Sequence, residues 1–200
     1  ATWFARDLRI RQGMRASVSG TLATMGCGVP YAIAAKFAHP DRPVIALVGD
    51  GAMEMNGLNE LLTVKRYWKE WSDPRLVFLV LHNHDLNMVT WEQRVMSGYA
   101  KFAGSQDVPD FDYAAYGKLC GLEGITMRAK DDVETAWDAA LSADRPVVVD
   151  AYADPDIPPL PPHVELEQAK SMAAALAQGD PDAWDIVKQS FKGKLVELKL

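Results

Sequence analysis

Two short stretches carry the residues with the clearest chemistry. "LVGDGAMEMNGLNELL", residues 47–62, leaves an apolar β-type run at Gly49-Asp50-Gly51 and turns helical. "NHDLNMVTWEQR", residues 83–94, leaves a second apolar run, "RLVFLVLH", at His82-Asn83. A carboxylate between two glycines at the exit of an apolar strand is costly unless it is partnered. Asp50 offers a hard carboxylate oxygen and Asn83 an amide oxygen. Two such oxygens, completed by backbone carbonyls and phosphate oxygens, suit Mg²⁺ or Ca²⁺. The glycines let the main chain approach a phosphate closely, and a helix starting near Met53 points N–H groups and partial positive charge at it. Asp50 alone reads equally well as a helix N-cap, and Asn83 alone as a turn residue. Their pairing suggests a metal diphosphate.

The surrounding pattern supplies the scaffold. Residues 1–20 are basic and irregular, and 21–38 run from a Gly-rich loop into an Ala-rich helix with Pro30 near its first turn. "VIALVG", 44–49, is a continuous apolar run without alternation, the pattern of a strand covered on both faces. A helix is expected from about Met53 to Trp71, a strand over 75–82, and a loop entering a short helix over 83–94. Beyond these come a helix over 110–120, the strand "EGITMRA", the helix "KDDVETAWDAALSA" and the strand "RPVVVDAYA". This alternation implies an α/β fold, a doubly wound parallel sheet flanked by helices. Ligands of such sheets sit beyond the carboxyl ends of strands, where both stretches lie. Residues 1–152 form the expected ligand-binding domain. Residues 153–200 form a Pro-rich linker, "DPDIPPLPP", and a helical C-terminal tail from His163 on, broken at "QGDPD".

Composition narrows the classes. The chain has 200 residues, 48% hydrophobic and 24% charged, with net charge -6. No basic stripe stands out, so nucleic acid is not an expected partner. No apolar run approaches the roughly 18 residues of a membrane span, and the N-terminus lacks the apolar core of a signal peptide. Cys27 and Cys120 form no CxxC pair and read as reduced thiols of a cytoplasmic protein. In the tail, Trp184, Val187 and Phe191 have helical spacing, with Lys188 and Lys192 beside them, Ile186 on the opposite side and Gly193 near the end. That stripe suits an interfacial helix at a membrane surface; packing on its own domain is the preferred reading.

Gly49-Asp50-Gly51 followed, after a helix and a strand, by Asn83 resembles the thiamine-diphosphate motif. In that family the aspartate and the second residue of an Asn-Asn pair bind the metal, and the residue two positions later adds its main-chain carbonyl. The resemblance implies Asp50, Asn83 and the carbonyl of Asp85 as metal ligands, with Gly49, Gly51 and Ala52 against the diphosphate. Two departures stand out. His82 replaces the first Asn, and the Asp50-to-Asn83 spacing is long, with "RYWKEWSDP" looking like an extension of the surface connection. "GTLATMGCGVPYAIAAK", 20–36, resembles the family's Gly-rich segment ahead of an Ala-rich helix. Met25 matches the apolar residue that wedges between the cofactor's two rings and holds it bent. Its N–H and the carbonyl of Ala23 are then expected at the aminopyrimidine. By itself Met25 would be core filler. The resemblance runs from Gly20 through Asp150.

Membership implies decarboxylation of a 2-keto acid, with the cofactor carrying the chemistry and the protein positioning it. The family's pyrimidine-protonating glutamate sits in a separate domain not found here. Its cofactor domain also begins with a strand ahead of where this chain starts. The expectation is therefore a piece of a larger enzyme, inactive alone, partnered by pyrimidine-binding and FAD-binding domains in a homo-oligomer, a dimer or tetramer. Pyruvate oxidases and quinone-linked pyruvate dehydrogenases carry two apolar residues and then a glutamate after the metal ligand, as Met88, Val89 and Glu92 do here. Their tails also share this layout. This branch implies oxidative decarboxylation of pyruvate, with electrons passing to FAD, bound mainly outside this chain, and then to quinone or oxygen. Glu92 becomes the acid/base candidate, against a plain reading as an exposed first-turn residue. His84, between two proposed ligands, could reach substrate; a loop histidine without a role is the preferred reading. Acetolactate synthases also show Met-Val and Trp in this loop, so Met88, Val89 and Trp91 do not separate that carboligase alternative. A non-catalytic binding or assembly module should have lost Asp50, Asn83 or Met25, and all three remain.

Overall fold

The structure is a computed structural model that describes residues 2–157 and 166–189. In chain order its elements are α1 (Thr2–Asp7), α2 (Gly28–Ala38), β1 (Val44–Gly49), α3 (Asp50–Asn56), α4 (Glu60–Tyr67), β2 (Leu76–His82), α5 (Asn87–Glu92), α6 (Ala103–Gln106), α7 (Tyr113–Leu119), β3 (Glu123–Met127), α8 (Val133–Ser142), β4 (Val147–Tyr152) and α9 (Leu166–Ala177). They fall into two compact units, residues 1–83 with 110–153, and 84–109 with 154–200.

The first unit holds the four-stranded sheet, in the order β1-β2-β4-β3, with every pair parallel. The chain passes from β2 to β3 over a place that β4 later fills. Helices cover both faces, as expected of a doubly wound sheet. Even-numbered β1 and β2 residues (Ala46, Val48, Leu76, Phe78, Val80) pack in one cluster with Val29 and Ile33 of α2, Met53 of α3, Leu61 and Val64 of α4, and Tyr113 of α7. Val77, Val147 and Val149 pack with Trp137 and Ala140 of α8 in a second. The parallel strands carry nearly continuous apolar runs because β2 and β4 are buried on both sides.

Three expectations change and one gains detail. β1 is covered on one face only: Ile45 is 47% and Leu47 37% exposed, on the side away from Ala46 and Val48. A run of apolar residues gives no period from which one-sided burial could be read. The expected helix 53–71 is two helices, breaking at 57–59, where Gly57 and Asn59 have poor helix propensity. The segment "RYWKEWSDP", expected as an extension of the surface connection, is also anchored in the core. Trp71 is buried, and Lys36, fully buried, donates to the carbonyls of Pro40, Arg42 and Asp73 at 3.3, 2.7 and 2.6 Å. Three carbonyls and the Trp71 ring replace the hydration its ammonium gives up. The β1–β2 register is undisturbed, with Gly49 opposite Leu81. Lastly, α1 is helical where irregular chain was expected, with no residue of its own buried.

The second unit joins 84–109, expected to belong with the sheet, to the segment beyond 153. The cause is a buried ion cluster. Arg94, fully buried over the Trp91 ring, donates from Nε and Nη2 to the two oxygens of Asp180, both at 2.8 Å, and from Nη2 to Asp182 at 2.7 Å. The "QGDPD" break between α9 and a helix over 183–189 thus supplies the counter-ions of Arg94. Helix 183–189 packs through Ile186, the side opposite the proposed stripe, and leaves Trp184 79% exposed. Residues 158–162 of the linker, His163, Phe191, Lys192 and Gly193 lie outside the described residues. Among the described residues no helix is long and apolar enough to cross a membrane.

Candidate cofactor site

At the end of β1 the chain turns directly from strand into α3. Gly49 is the extended N-cap and Asp50 the first helical residue, so Asp50 is not the N-cap that a local reading allowed. Its carboxylate is buried. Oδ1 accepts from the Gly51 N–H at 2.8 Å, and Oδ2 from the Asn83 N–H at 2.9 Å. The carboxylate therefore ties the tip of β1 to the residue just beyond β2. A buried carboxylate at one strand tip and an amide-bearing residue at the next offer hard oxygens of the kind that suit a divalent cation and the phosphates it bridges.

The turn carrying Ala23 and Met25 is anchored beside this tip. Gly26 has φ +81°, and a Cβ there would meet the Asn56 side chain of α3 at 2.9 Å. A Cβ on Gly28 would strike Val48 Cγ1 at 2.5 Å. Only glycines allow the turn to sit so close to β1 and α3. Ala23 and Met25 themselves are exposed, Met25 at 41%. Met25 is thus not core filler, and its exposure leaves the side chain free to meet a ligand.

Three polar features of this unit escape sequence reasoning. Tyr113, fully buried, donates its hydroxyl to Glu54 Oε1 at 3.0 Å, one helical turn beyond Asp50. Burial, then the charges of Glu54, Asp50 and Asp150, push its phenol far above the ordinary value and keep it a neutral donor. His82 and Asp150 form the second and third, with Nδ1 2.8 Å from Oδ1 and both side chains buried. Burial pushes the Asp150 carboxyl up, and the His82 contact works against it. A lone Asp in the run "RPVVVDAYA" was the available signal, but its partner is 68 residues away and is set by β4 lying next to β2.

In the second unit, the Asp85 carboxylate is fully engaged. It accepts from Thr90 Oγ1 at 2.8 Å and Asn87 Nδ2 at 3.0 Å, and pairs with Lys101 Nζ at 3.2 Å. The resemblance assigns its main-chain carbonyl, not this carboxylate, to a metal. His84, between Asn83 and Asp85, takes the left-handed conformation at φ 58°. A bulky residue held there costs of order 1–3 kcal/mol, strain that recurs at ligand sites. On α5, Thr90 and Trp91 face inward, while Met88, Val89 and Glu92 are exposed. Positions 88, 89 and 92 share one helical face, so an apolar pair and a carboxylate stand together. Asp50 and Asn83 thus meet within the sheet unit, whereas Asp85, Met88, Val89 and Glu92 belong to the other.

Residues 1–151 match the family described as thiamine pyrophosphate enzyme, C-terminal TPP binding domain. The chain belongs to this family. The thiamine pyrophosphate enzyme domain is 36% identical over 171 residues to YdaP of Bacillus subtilis, which takes in 86% of this chain and 28% of that protein. It is 34% identical to the acetolactate synthase large subunit of Haemophilus influenzae, over 68% of this chain and 23% of the relative. It is 31% identical to the benzoylformate decarboxylase of Pseudomonas aeruginosa, over 63% and 22%. Among solved structures it resembles a thiamine diphosphate-dependent 4-hydroxybenzoylformate decarboxylase of Rhodococcus jostii, with TM-score 0.56, 27% identity, and coverage of 65% of this chain and 23% of that one. The chain thus spans less than a third of the length of each of these relatives.

Proposed function

We propose that this chain is the diphosphate- and metal-binding part of a thiamine-diphosphate-dependent enzyme that oxidatively decarboxylates a 2-keto acid, with pyruvate as the substrate. The observation that carries the reading is the Asp50 carboxylate held at 2.9 Å by the Asn83 N–H beyond two adjacent parallel strand ends. Asp50, Asn83 and the carbonyl of Asp85 would hold Mg²⁺, with Ca²⁺ the alternative ion. Gly49, Gly51 and Ala52 would face the diphosphate. Ala23 and Met25 would take the aminopyrimidine and the bend between the rings. When bound, thiamine diphosphate supplies the carbon nucleophile and the electron sink that let CO₂ leave a 2-keto acid.

The remaining roles fall to α5. Glu92 would hold or move a proton at the reacting carbonyl oxygen. Met88 and Val89 would form an apolar wall that keeps water from that region. The oxidative outcome rests on the spacing of Val89 and Glu92 and on the layout of the tail. Pyruvate and water would give acetate, CO₂, two protons and two electrons. The electrons would go to FAD on another domain and then to quinone or oxygen. The other domains would come from the same or another polypeptide in a homo-oligomer, with the exposed Trp184 the tail residue nearest to a membrane-contact role.

The acetolactate synthase relatives favour one second reading, ligation of the decarboxylated fragment to another keto acid. Product analysis separates the two. The complete protein, given pyruvate, Mg²⁺, thiamine diphosphate and an artificial two-electron acceptor, is expected to yield acetate with stoichiometric acceptor reduction. Acetolactate without acceptor reduction would replace oxidation by ligation.

A further inference from the structure

The last side chain of β2 is one the proposed reaction does not use. His82 is fully buried and immediately precedes Asn83. Its Nδ1 lies 2.8 Å from Asp150 Oδ1 on the adjacent strand β4. Tyr152 packs at 4.5 Å between ring centroids and Tyr113 edge-on at 5.0 Å. On the other side Nε2 is 3.4 Å from the exposed Asp110. The His82 carbonyl also accepts from the Ala153 N–H at 2.9 Å. Ring, carboxylate and main chain together leave this strand end little freedom. Asp150 Oδ2 is buried and makes no hydrogen bond among the described residues.

A buried polar pair of this kind is a poor means of stabilising a sheet. Well-packed apolar residues of similar volume generally do as well or better. The two strands use such residues elsewhere: Val77, Phe78 and Val80 on β2, and Val147, Val148, Val149 and Ala151 on β4, are all buried. The polar pair is confined to the one end where β2 hands over to Asn83. What a hydrogen-bonded His–Asp pair provides there, and a Leu–Val pair does not, is a fixed direction.

We infer that His82 is a positioning residue. Pinned by Asp150, it fixes the peptide joining residues 82 and 83, so that the Asn83 N–H meets Asp50 and the Asn83 amide is presented to the same divalent ion. The inference rests on the metal assignment above. The path is continuous: Asp150 to His82 at 2.8 Å, one peptide bond to Asn83, and the Asn83 N–H to Asp50 at 2.9 Å. Partners that orient metal ligands typically contribute about 10–100-fold in metal affinity.

The test uses Mg²⁺ titrations of the complete protein at saturating thiamine diphosphate, read by tryptophan fluorescence, with melting of the cofactor-free forms alongside. Asn places an N–H close to the position of the imidazole Nδ1, whereas Gln places one close to Nε2. His82→Asn keeps the donor to Asp150 and is expected to retain a near wild-type midpoint. His82→Gln, His82→Leu and Asp150→Leu are expected to raise the half-saturating Mg²⁺ about 10–100-fold. A purely structural role would shift melting and leave the Mg²⁺ midpoint of the folded protein alone. If the Leu variants do not fold, the Asn–Gln pair decides: equal midpoints overturn the inference. Asp50→Ala separates the two levels. A defective Asp50→Ala with wild-type-like His82→Gln and His82→Leu sinks the positioning role only. A wild-type Mg²⁺ curve in Asp50→Ala sinks the metal assignment beneath it.

Discussion

In the sheet unit, β2 buries Leu76, Val77, Phe78 and Val80 among apolar neighbours, whereas in the second unit the largest buried side chains are Trp91 and Arg94. The first core is non-directional and roughly proportional to the area removed from water. The second depends on matched ions: Arg94 with Asp180 and Asp182, and Lys101 with Asp85, Asp107 and Asp182. Burial alone would push the Asp180 carboxyl up. The Arg94 guanidinium and the N–H groups of Lys101 and Asp182 outweigh it and hold the carboxyl below the usual range. Lys101 likewise stays charged, with Asp107 and Asp85 overcoming its burial. An apolar core tolerates exchange of one methyl-bearing side chain for another. An ion cluster fixes orientation and is intolerant of losing one member. The segment carrying Asp85, Met88, Val89 and Glu92 is therefore held by direction-dependent contacts, while the sheet that carries Asp50 and Asn83 is held by area.

This contrast can be broken or sharpened by experiment. The largest effect is expected from Arg94→Ala, which strands Asp180 as a buried, unpaired charge. Removing one partner of such a pair costs about 3–5 kcal/mol. Amide hydrogen exchange should show the loss across 84–109 and 166–189, with the β2 and β4 amides unaltered. Arg94→Met combined with Asp180→Leu should recover most of it. Equal loss of protection in the sheet would erase the distinction between the two units. Next comes Leu76→Ala in the fully buried sheet core, expected to cost about 2–5 kcal/mol. Denaturant unfolding should return that cost unchanged between pH 5 and 8, since no charge is involved.

Acid should act selectively on the ionic unit. Because the folded Asp180 carboxyl is held below its unfolded value, its stabilisation is fully present above the ordinary carboxylate pKa of about 4 and is lost as pH falls through the lowered value. Exchange in 166–189 should then rise in acid ahead of exchange in β2. Equal acid sensitivity of the two would contradict the assignment. The smallest effect concerns Asp156. Burial, then the charges of Asp182, Asp154 and Asp185, raise its carboxyl to about 6. The sign is opposite here: the folded form binds its proton more tightly, so stability falls as pH rises from about 4 to about 6. Asp156→Asn should raise the melting midpoint at pH 7 and leave it unchanged at pH 4. A gain at both values would rule out the raised carboxyl as the cause.

The sequence shows some of these arrangements and hides others for physical reasons. Gly49-Asp50-Gly51 and Asn83 were legible because chemistry, strand exit and helix start coincide in a few residues. Parallel strands betrayed themselves as β-rich apolar runs separated by helices. The open face of β1 could not be read, since "VIALVG" looks the same whether one side or two are covered. His82–Asp150 depends on β4 inserting beside β2, and strand order is not encoded in any local period. Arg94 resembles an ordinary helix-surface residue until the Gly-Asp break, 86 residues on, is brought against it. Long-range polar pairs are the common element in what stayed hidden.

The central claim is that Asp50 and Asn83 hold a divalent ion that binds the diphosphate of the cofactor. Equilibrium binding of thiamine diphosphate to the complete protein, with and without Mg²⁺, measures it directly in wild type and in Asp50→Ala. Tight binding that requires Mg²⁺ in wild type and is abolished in a folded Asp50→Ala variant is the expected result. Binding of equal strength in the two proteins, or binding indifferent to Mg²⁺, would contradict the account.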